Sequence, residues 1–123
     1  MPEPLAAPAD RGHLEVRSVV LDRVAGRAAG GVRGVVPGKV GRLTRRRLPH
    51  VETHTETRAD GEHARLRVEV AVAWGHRLDV VAGGVQSAVV DTVRRLTGVQ
   101  VDRVDVSVDD VVVPEQPEER RVS

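Results

Sequence analysis

The chain has 123 residues, with 19 basic and 18 acidic side chains and a formal net charge of +1. This length supports one domain with its own core, and the balanced charge argues against a surface that binds a polyanion all over. Cysteine is absent, which excludes disulfides and thiolate chemistry. The sequence contains no run of about 18 apolar residues, so no membrane-spanning helix is predicted.

The two ends of the chain have the composition of disordered segments. Residues 1–12 contain three prolines and little apolar sequence, and they lack the apolar core of a signal peptide. Residues 114–123 are similarly polar. We therefore expect a leader (1–12), a single domain (13–113) and a tail (114–123). The expected location is the cytoplasm, with contact to the inner face of the membrane through a partner or at the periphery.

The first predicted elements are a short strand and a helix. Leu14-Glu15-Val16 alternates in the manner of a strand, and Ser18 is a suitable helix N-cap. Beyond it, apolar residues recur at helical spacing until Gly30-Gly31, which ends the helix. The apolar stripe consists of Val20, Leu21, Val24, Ala25, Ala28 and Val32.

A β-hairpin is predicted around Asp60-Gly61, a pair that favours two-residue hairpin turns. With the turn centred there, Thr55 lies opposite Leu66 and Glu56 lies opposite Arg65. The strand before the turn is the more polar one, which places it at the edge of the sheet. The strand after it alternates through Ala64, Leu66, Val68, Val70, Val72 and Trp74.

A second helix and a last strand follow. Apolar residues at helical spacing run from Leu78 to Leu96, Thr97-Gly98 ends the helix, and alternation resumes at Val104. Together the elements predict an α+β domain, with two helices on one face of a mixed three- to four-stranded sheet in the order β-α-β-β-α-β. The predicted core includes Val24, Val68, Val70, Val72, Val85, Val89, Leu96, Val104 and Val106.

The sequence argues against three apparent motifs for metal or phosphate binding. His50 and His54 would lie roughly 13 Å apart in a strand, too far for one zinc ion. The segment around Gly38-Lys39 lacks the spacing and hydroxyl of a phosphate-binding loop. Adjacent Asp109-Asp110 would point to opposite faces of a strand, so we expect them to end it. No catalytic, metal or cofactor residue is predicted.

One local signal remains, a cluster of five cations that is a candidate contact for an anionic partner. It consists of Lys39, Arg42, Arg45, Arg46 and Arg47. The segments Gly31-Val32-Arg33-Gly34 and Gly38-Lys39-Val40-Gly41 have the GxxG form of RNA-binding KH domains. A KH-like RNA-binding module that uses residues 31–47 is therefore the alternative function. It requires a second helix directly after the GxxG loop.

Several short segments together resemble the alkaline shock protein (Gls-type) family of bacterial envelope stress proteins over roughly residues 12–113. The family usually has Tyr-Gly where this chain has Trp74-Gly75, and Asn in place of Asp105. The matching segments are Gly12-His13-Leu14-Glu15-Val16, Val32-Arg33-Gly34-Val35, Trp74-Gly75, Val85-Gln86, Leu96-Thr97-Gly98-Val99 and Val104-Asp105-Val106-Ser107-Val108.

The resemblance implies a non-enzymatic protein of cell-envelope homeostasis. It implies self-association into a homo-oligomer and a small membrane protein as partner, and it offers no catalytic residues, cofactor or small-molecule substrate. Anionic lipid is a further candidate partner for the basic cluster, whereas nucleic acid is disfavoured.

Overall fold

The computed structural model describes residues 8–113, with side chains from residue 17 onward. The elements follow in the order α1 (Pro8–Gly30), β1 (His50–Arg58), β2 (Gly61–Ala73), α2 (Leu78–Thr97) and β3 (Gln100–Val112). The sheet has the order β1-β2-β3, with β1 antiparallel and β3 parallel to β2. The predicted α+β class, the mixed sheet and both helices are confirmed. The β-α-β-β-α-β order is wrong, because α1 follows no strand in the described residues.

Helix α1 is longer than the sequence predicts. It includes Leu14-Glu15-Val16, where a strand is predicted, and residues 8–12, which were assigned to the leader. Three alternating residues are too few to distinguish a strand from one helical turn. Pro8 is compatible with the first turn, because a backbone N–H there has no acceptor within the helix. Residues 1–7 and 114–123 lie outside the described part of the chain.

The core lies between the sheet and the two helices. Helix α1 contributes small residues that allow a close approach, and α2 contributes a line of valines at i, i+4 spacing. Alternate residues of the central strand β2 meet both helices. The fully or nearly fully buried members are Leu21, Ala25, Ala29, Ala64, Leu66, Val68, Val70, Val72, Val81, Val85, Val89, Val93 and Val99.

Most of the predicted core is confirmed, with one clear error. Val24 and Val106 are half-buried against the core, whereas Leu96 is 62% exposed. The buried line of α2 ends at Val93, and Leu96 lies beyond it in the last turn of the helix. Trp74 is also exposed, since β2 ends at Ala73. The other predicted members, Val68, Val70, Val72, Val85, Val89 and Val104, are buried.

The hairpin forms, but its register differs from the predicted one. Arg58 pairs with Gly61, so the turn is centred on Ala59-Asp60, and Glu56 lies opposite His63 instead of Arg65. The difference is a shift of two residues, which leaves every side chain on its predicted face because a strand repeats every two residues. The edge position of β1 is confirmed.

Strand β3 contains two irregularities in its pairing with β2. The register shifts once between Ala64 and Arg65 and again between Val70 and Ala71. Each shift leaves one residue of β3 unpaired, Asp102 in the first and Asp109 in the second. Asp109-Asp110 therefore does not end the strand, which continues to Val112. Both bulged residues are carboxylates, and both form long-range contacts described below.

Candidate functional site

Residues 38–48, here called the arginine loop, connect α1 to β1 as a narrow loop with paired sides. The N–H of Gly38 donates to the carbonyl of Leu48 (2.8 Å), and the N–H of Gly41 donates to the carbonyl of Arg46 (2.7 Å). The N–H of Leu48 donates in turn to Lys39, and the Leu48 side chain is buried. The base of the loop is thus fixed, and its tip projects the basic residues.

The structure places all five predicted cations, Lys39, Arg42, Arg45, Arg46 and Arg47, on this loop with exposed side chains. Arg46 lies over the sheet, where its Nη1 donates to Glu52 (3.1 Å) and Glu69 (3.3 Å). Arg42 lies 3.9 Å from Asp110. Within the described residues, the other three cations form no ion pair. The cluster is therefore divided into two neutralised cations and three that remain available.

The tip of the loop is held by the second bulge of β3. The Thr44 hydroxyl donates to Asp109 Oδ2 (3.2 Å), and Gly41 lies so close to this carboxylate that a Cβ atom would overlap it. Asp110 contacts the same loop through Arg42. Adjacent strand residues normally point to opposite faces, and a bulge interrupts this alternation. Both carboxylates can therefore contact one loop, which the sequence did not predict.

Neither GxxG segment has the environment of a KH loop. Residues 31–34 follow α1 as a turn, and the next residue, Val35, forms an isolated β-bridge with Val72. Residues 38–41 lie in one side of the arginine loop. In the described structure no helix follows either segment directly, because the next element after α1 is β1. The helix that the RNA-binding alternative requires after GxxG is not found in this region.

His50 and His54, the two histidines considered as metal ligands, both lie on β1. His50 Nε2 lies 3.5 Å from Glu52, while His54 is exposed on the same strand. Across the described part of the chain, no group of three or more potential ligand side chains is close enough to hold a metal ion.

Sequence reasoning missed a polar cluster around the buried side chain of His63. His63 is only 5% exposed, and its Nδ1 lies 2.9 Å from Asp102 while its Nε2 lies 2.7 Å from Asp60. Arg58 adds an ion pair to Asp102 at 3.3 Å. No sequence signal connects these residues, because Asp102 reaches His63 only through the first bulge of β3.

The cluster favours a charged imidazole. Only the imidazolium form donates from both ring nitrogens. The hydrogen bonds to Asp102 and then to Asp60 raise the pKa of His63 above its ordinary value, against a smaller opposing effect of burial. The bond to His63 in turn lowers the pKa of Asp60. These residues thus form an ion cluster that ties the hairpin turn to β3.

A second feature that the sequence did not predict is an apolar groove of about 390 Å³ between α1 and α2. Leu96, predicted to be in the core, lies on one side, and Val20, 44% exposed, lies on the other. The complete lining is Val20, Arg23, Val24, Arg27, Ala28, Thr92 and Leu96.

Comparison with solved structures supports the observed fold. The zinc form of one MamM CTD variant has a TM-score of 0.52 at 18% sequence identity, with 85% of this chain and 90% of that chain covered. A different MamM CTD variant has a TM-score of 0.51 at 17% identity, with 80% and 97% covered. At these identities the similarity establishes the arrangement of helices and strands alone.

Comparison with family models identifies the class of protein. The model of the alkaline shock protein 23 family, described as having a cell envelope-related function, matches residues 6–113. The chain belongs to this family, as its short segments indicate. No curated protein matches the sequence significantly. Among the described residues, no helix is both long and apolar enough to cross a membrane.

Proposed function

We propose that this protein is a non-enzymatic scaffold of cell-envelope homeostasis that acts through self-association and through a membrane-anchored partner. The observation that carries the proposal is the extent of the family match, because residues 6–113 include every residue that the structure describes. The envelope-related function of the family therefore applies to the whole described domain.

The polar cluster around His63 supports a role without catalysis. His63 is the buried histidine that would be the first candidate for a general base. Both of its ring nitrogens already contact carboxylates, Asp102 on one side and Asp60 on the other. An imidazole held in this way has no ring nitrogen free to accept a proton from a substrate. The arrangement suits stabilisation of the fold.

The edge strand β1 is the proposed surface for self-association. It is nine residues long and, among residues 8–113, it pairs with β2 alone, along one side. An unpaired strand edge offers backbone donors and acceptors to the edge of a second copy. Its polar side chains, such as Thr55 and Glu56, keep this edge compatible with water in the monomer.

Two adjacent proline variants test this surface. Backbone N–H groups of neighbouring strand residues point to opposite edges, so only one of His54→Pro and Thr55→Pro breaks the ladder with β2. A thermal melt identifies the variant that keeps the native stability. Light scattering should show oligomers for the unchanged protein and a monomer for that variant. A strictly monomeric unchanged protein, with no membrane protein recovered in a pull-down from solubilised membranes, contradicts the proposal.

We further propose that the arginine loop contacts anionic lipid at the membrane surface through Lys39, Arg45 and Arg47. These three cations are exposed and lack ion pairs within the described structure. Each cation near an anionic membrane contributes about 1 kcal/mol of attraction. Replacing all three by alanine should abolish flotation with anionic vesicles at low salt. The matched control is Arg46→Ala, which removes a cation already neutralised by Glu52 and Glu69 and should reduce flotation little.

The RNA-binding alternative is tested on the same variants. If the loop binds single-stranded RNA, the logarithm of the affinity falls with the logarithm of salt concentration by a slope of about −0.7 per phosphate contact. We expect only non-specific RNA binding, no tighter than roughly micromolar at physiological salt. Sequence-selective binding at sub-micromolar concentration, lost in the triple variant, would replace the scaffold proposal by the RNA-binding one.

A further inference from the structure

We infer that the groove between α1 and α2 binds an amphipathic helix of a partner protein, with acidic side chains beside its apolar stripe. This inference deepens the proposed function, on which it rests, because it names the surface and the chemistry by which the scaffold recognises a partner.

The longer wall of the groove can contact about two turns of a helix. Val20, Val24 and Ala28 lie at i, i+4, i+8 spacing on α1 and form one wall, which is about 12 Å long at 1.5 Å per residue. Thr92 and Leu96, one turn apart on α2, form the other wall. An apolar stripe between two helices accepts a third helix whose own apolar residues repeat at i, i+3, i+4 and i+7.

The core of the domain explains only part of this apolar surface, because Val24 and Ala28 pack against the core whereas Val20 and Leu96 are exposed. Helix α1 already buries one stripe, Leu21, Ala25 and Ala29, against the sheet. The stripe that begins at Val20 is adjacent to it and is partly open to solvent, as is Leu96 across the groove. Apolar side chains on both walls, bordered by Arg23 and Arg27, can receive the apolar face of a docked helix.

Charge complementarity identifies the occupant. Arg23 and Arg27 lie one turn apart on α1 and line the groove, whereas no carboxylate of residues 17–113 lines it. Glutamates at i, i+4 on a docked helix would match both guanidinium groups. A second copy bound groove to groove would instead bring four arginines together without a counter-ion, because a two-fold interface uses the same patch on both subunits.

Two designed peptides test the proposal on the full chain. Each is an amphipathic helix of about 15 residues, the length at which isolated helices become marginally stable, with leucines on one face. One carries glutamates beside the leucines and the other carries lysines at the same positions. Methyl NMR should show saturable shifts at Val20, Val24 and Leu96 with the glutamate peptide. The lysine peptide should bind at least about tenfold more weakly, because it opposes like charges.

Variants of the groove residues then separate the apolar contribution to peptide binding from the ionic one. The double variant Arg23→Glu and Arg27→Glu should reverse the preference, so that the lysine peptide becomes the tighter ligand. Leu96→Ala should weaken both peptides. Leu78→Ala is the matched control, because Leu78 is also an exposed leucine of α2 but does not line the groove. It should leave the affinity unchanged.

Several results would overturn the inference. The first is equal affinity for the two peptides, and the second is chemical-shift changes confined to methyl groups outside the groove. The third is a change in the groove methyl shifts with protein concentration in the absence of peptide, which would assign the groove to a second copy. Vesicle flotation that depends on Leu96 would assign it to lipid. Loss of peptide binding with oligomers retained refutes only this inference. Peptide binding by a strict monomer refutes only the self-association in the proposed function.

Discussion

The imidazole Nδ1 of His63 lies 2.9 Å from Oδ1 of Asp102, a residue 39 positions further along the chain. The contact joins the beginning of β2 to the first bulge of β3, and Nε2 of the same ring reaches Asp60 in the hairpin turn. One charged side chain thus connects three segments at one end of the sheet. Because each hydrogen bond favours the imidazolium, the protonation of His63 is linked to the stability of the fold.

The first prediction concerns pH. The folded-state pKa of His63 is raised above its unfolded value of about 6.5, so its contribution to stability is fully present below that pH. This contribution is lost as the pH rises through the raised folded pKa. Urea unfolding of the unchanged protein should therefore show the free energy of unfolding declining over that window. His63→Gln should be less stable below pH 6.5 and should show a much smaller decline.

The second prediction separates the two carboxylates. Asp102→Asn removes the negative charge from the acceptor whose hydrogen bond raises the pKa of His63 most, and Asp60→Asn does the same for the second acceptor. The pKa of His63, followed by NMR of the ring protons, should fall in both variants and should fall further in Asp102→Asn. A larger fall of the His63 pKa in Asp60→Asn, or no change of this pKa in either variant, would show that Asp102 in the bulge does not stabilise the imidazolium.

The elements that the sequence predicted well are those in which apolar residues recur at a constant spacing over many positions. Helix α2 and strand β2 each present long apolar patterns, and Gly98 ends α2 in the left-handed conformation (φ 75°) with its N–H donating to Arg94. Thr97 also holds this end, since its hydroxyl accepts from the N–H of Val99. Pattern and cap agree here, so the boundary could be predicted.

The errors of prediction come from features with no local signal. The hairpin is shifted by two residues because both registers bury the same face, and the periodicity cannot choose between them. The bulges at Asp102 and Asp109 depend on pairing with a strand some forty residues away. The sequence could place the five cations on one irregular segment, but the pairing of Arg46 with Glu52 and Glu69 required the folded sheet.

The third prediction concerns the attachment of the arginine loop to β3. In Gly41→Ala, the new methyl group overlaps the Asp109 carboxylate, which is almost buried and already accepts from Thr44. We expect a destabilisation of about 1–3 kcal/mol, typical of overpacking. Gly83→Ala is the matched control, because a Cβ there meets no atom within 4 Å. It should stabilise α2 by up to about 1 kcal/mol. Similar effects of both substitutions on urea unfolding would refute the close contact at Gly41.

The last prediction compares two apolar residues of α2 that the sequence assigns to the core alike. Val89 is fully buried against the sheet, whereas Leu96 is largely exposed. Val89→Asn removes a buried apolar side chain and leaves an amide without partners, which should cost about 3–5 kcal/mol. Leu96→Asn should cost only about 0.5 kcal/mol, the difference in helix propensity. Urea unfolding measures both, and comparable losses would place Leu96 in the core and close the groove between the helices.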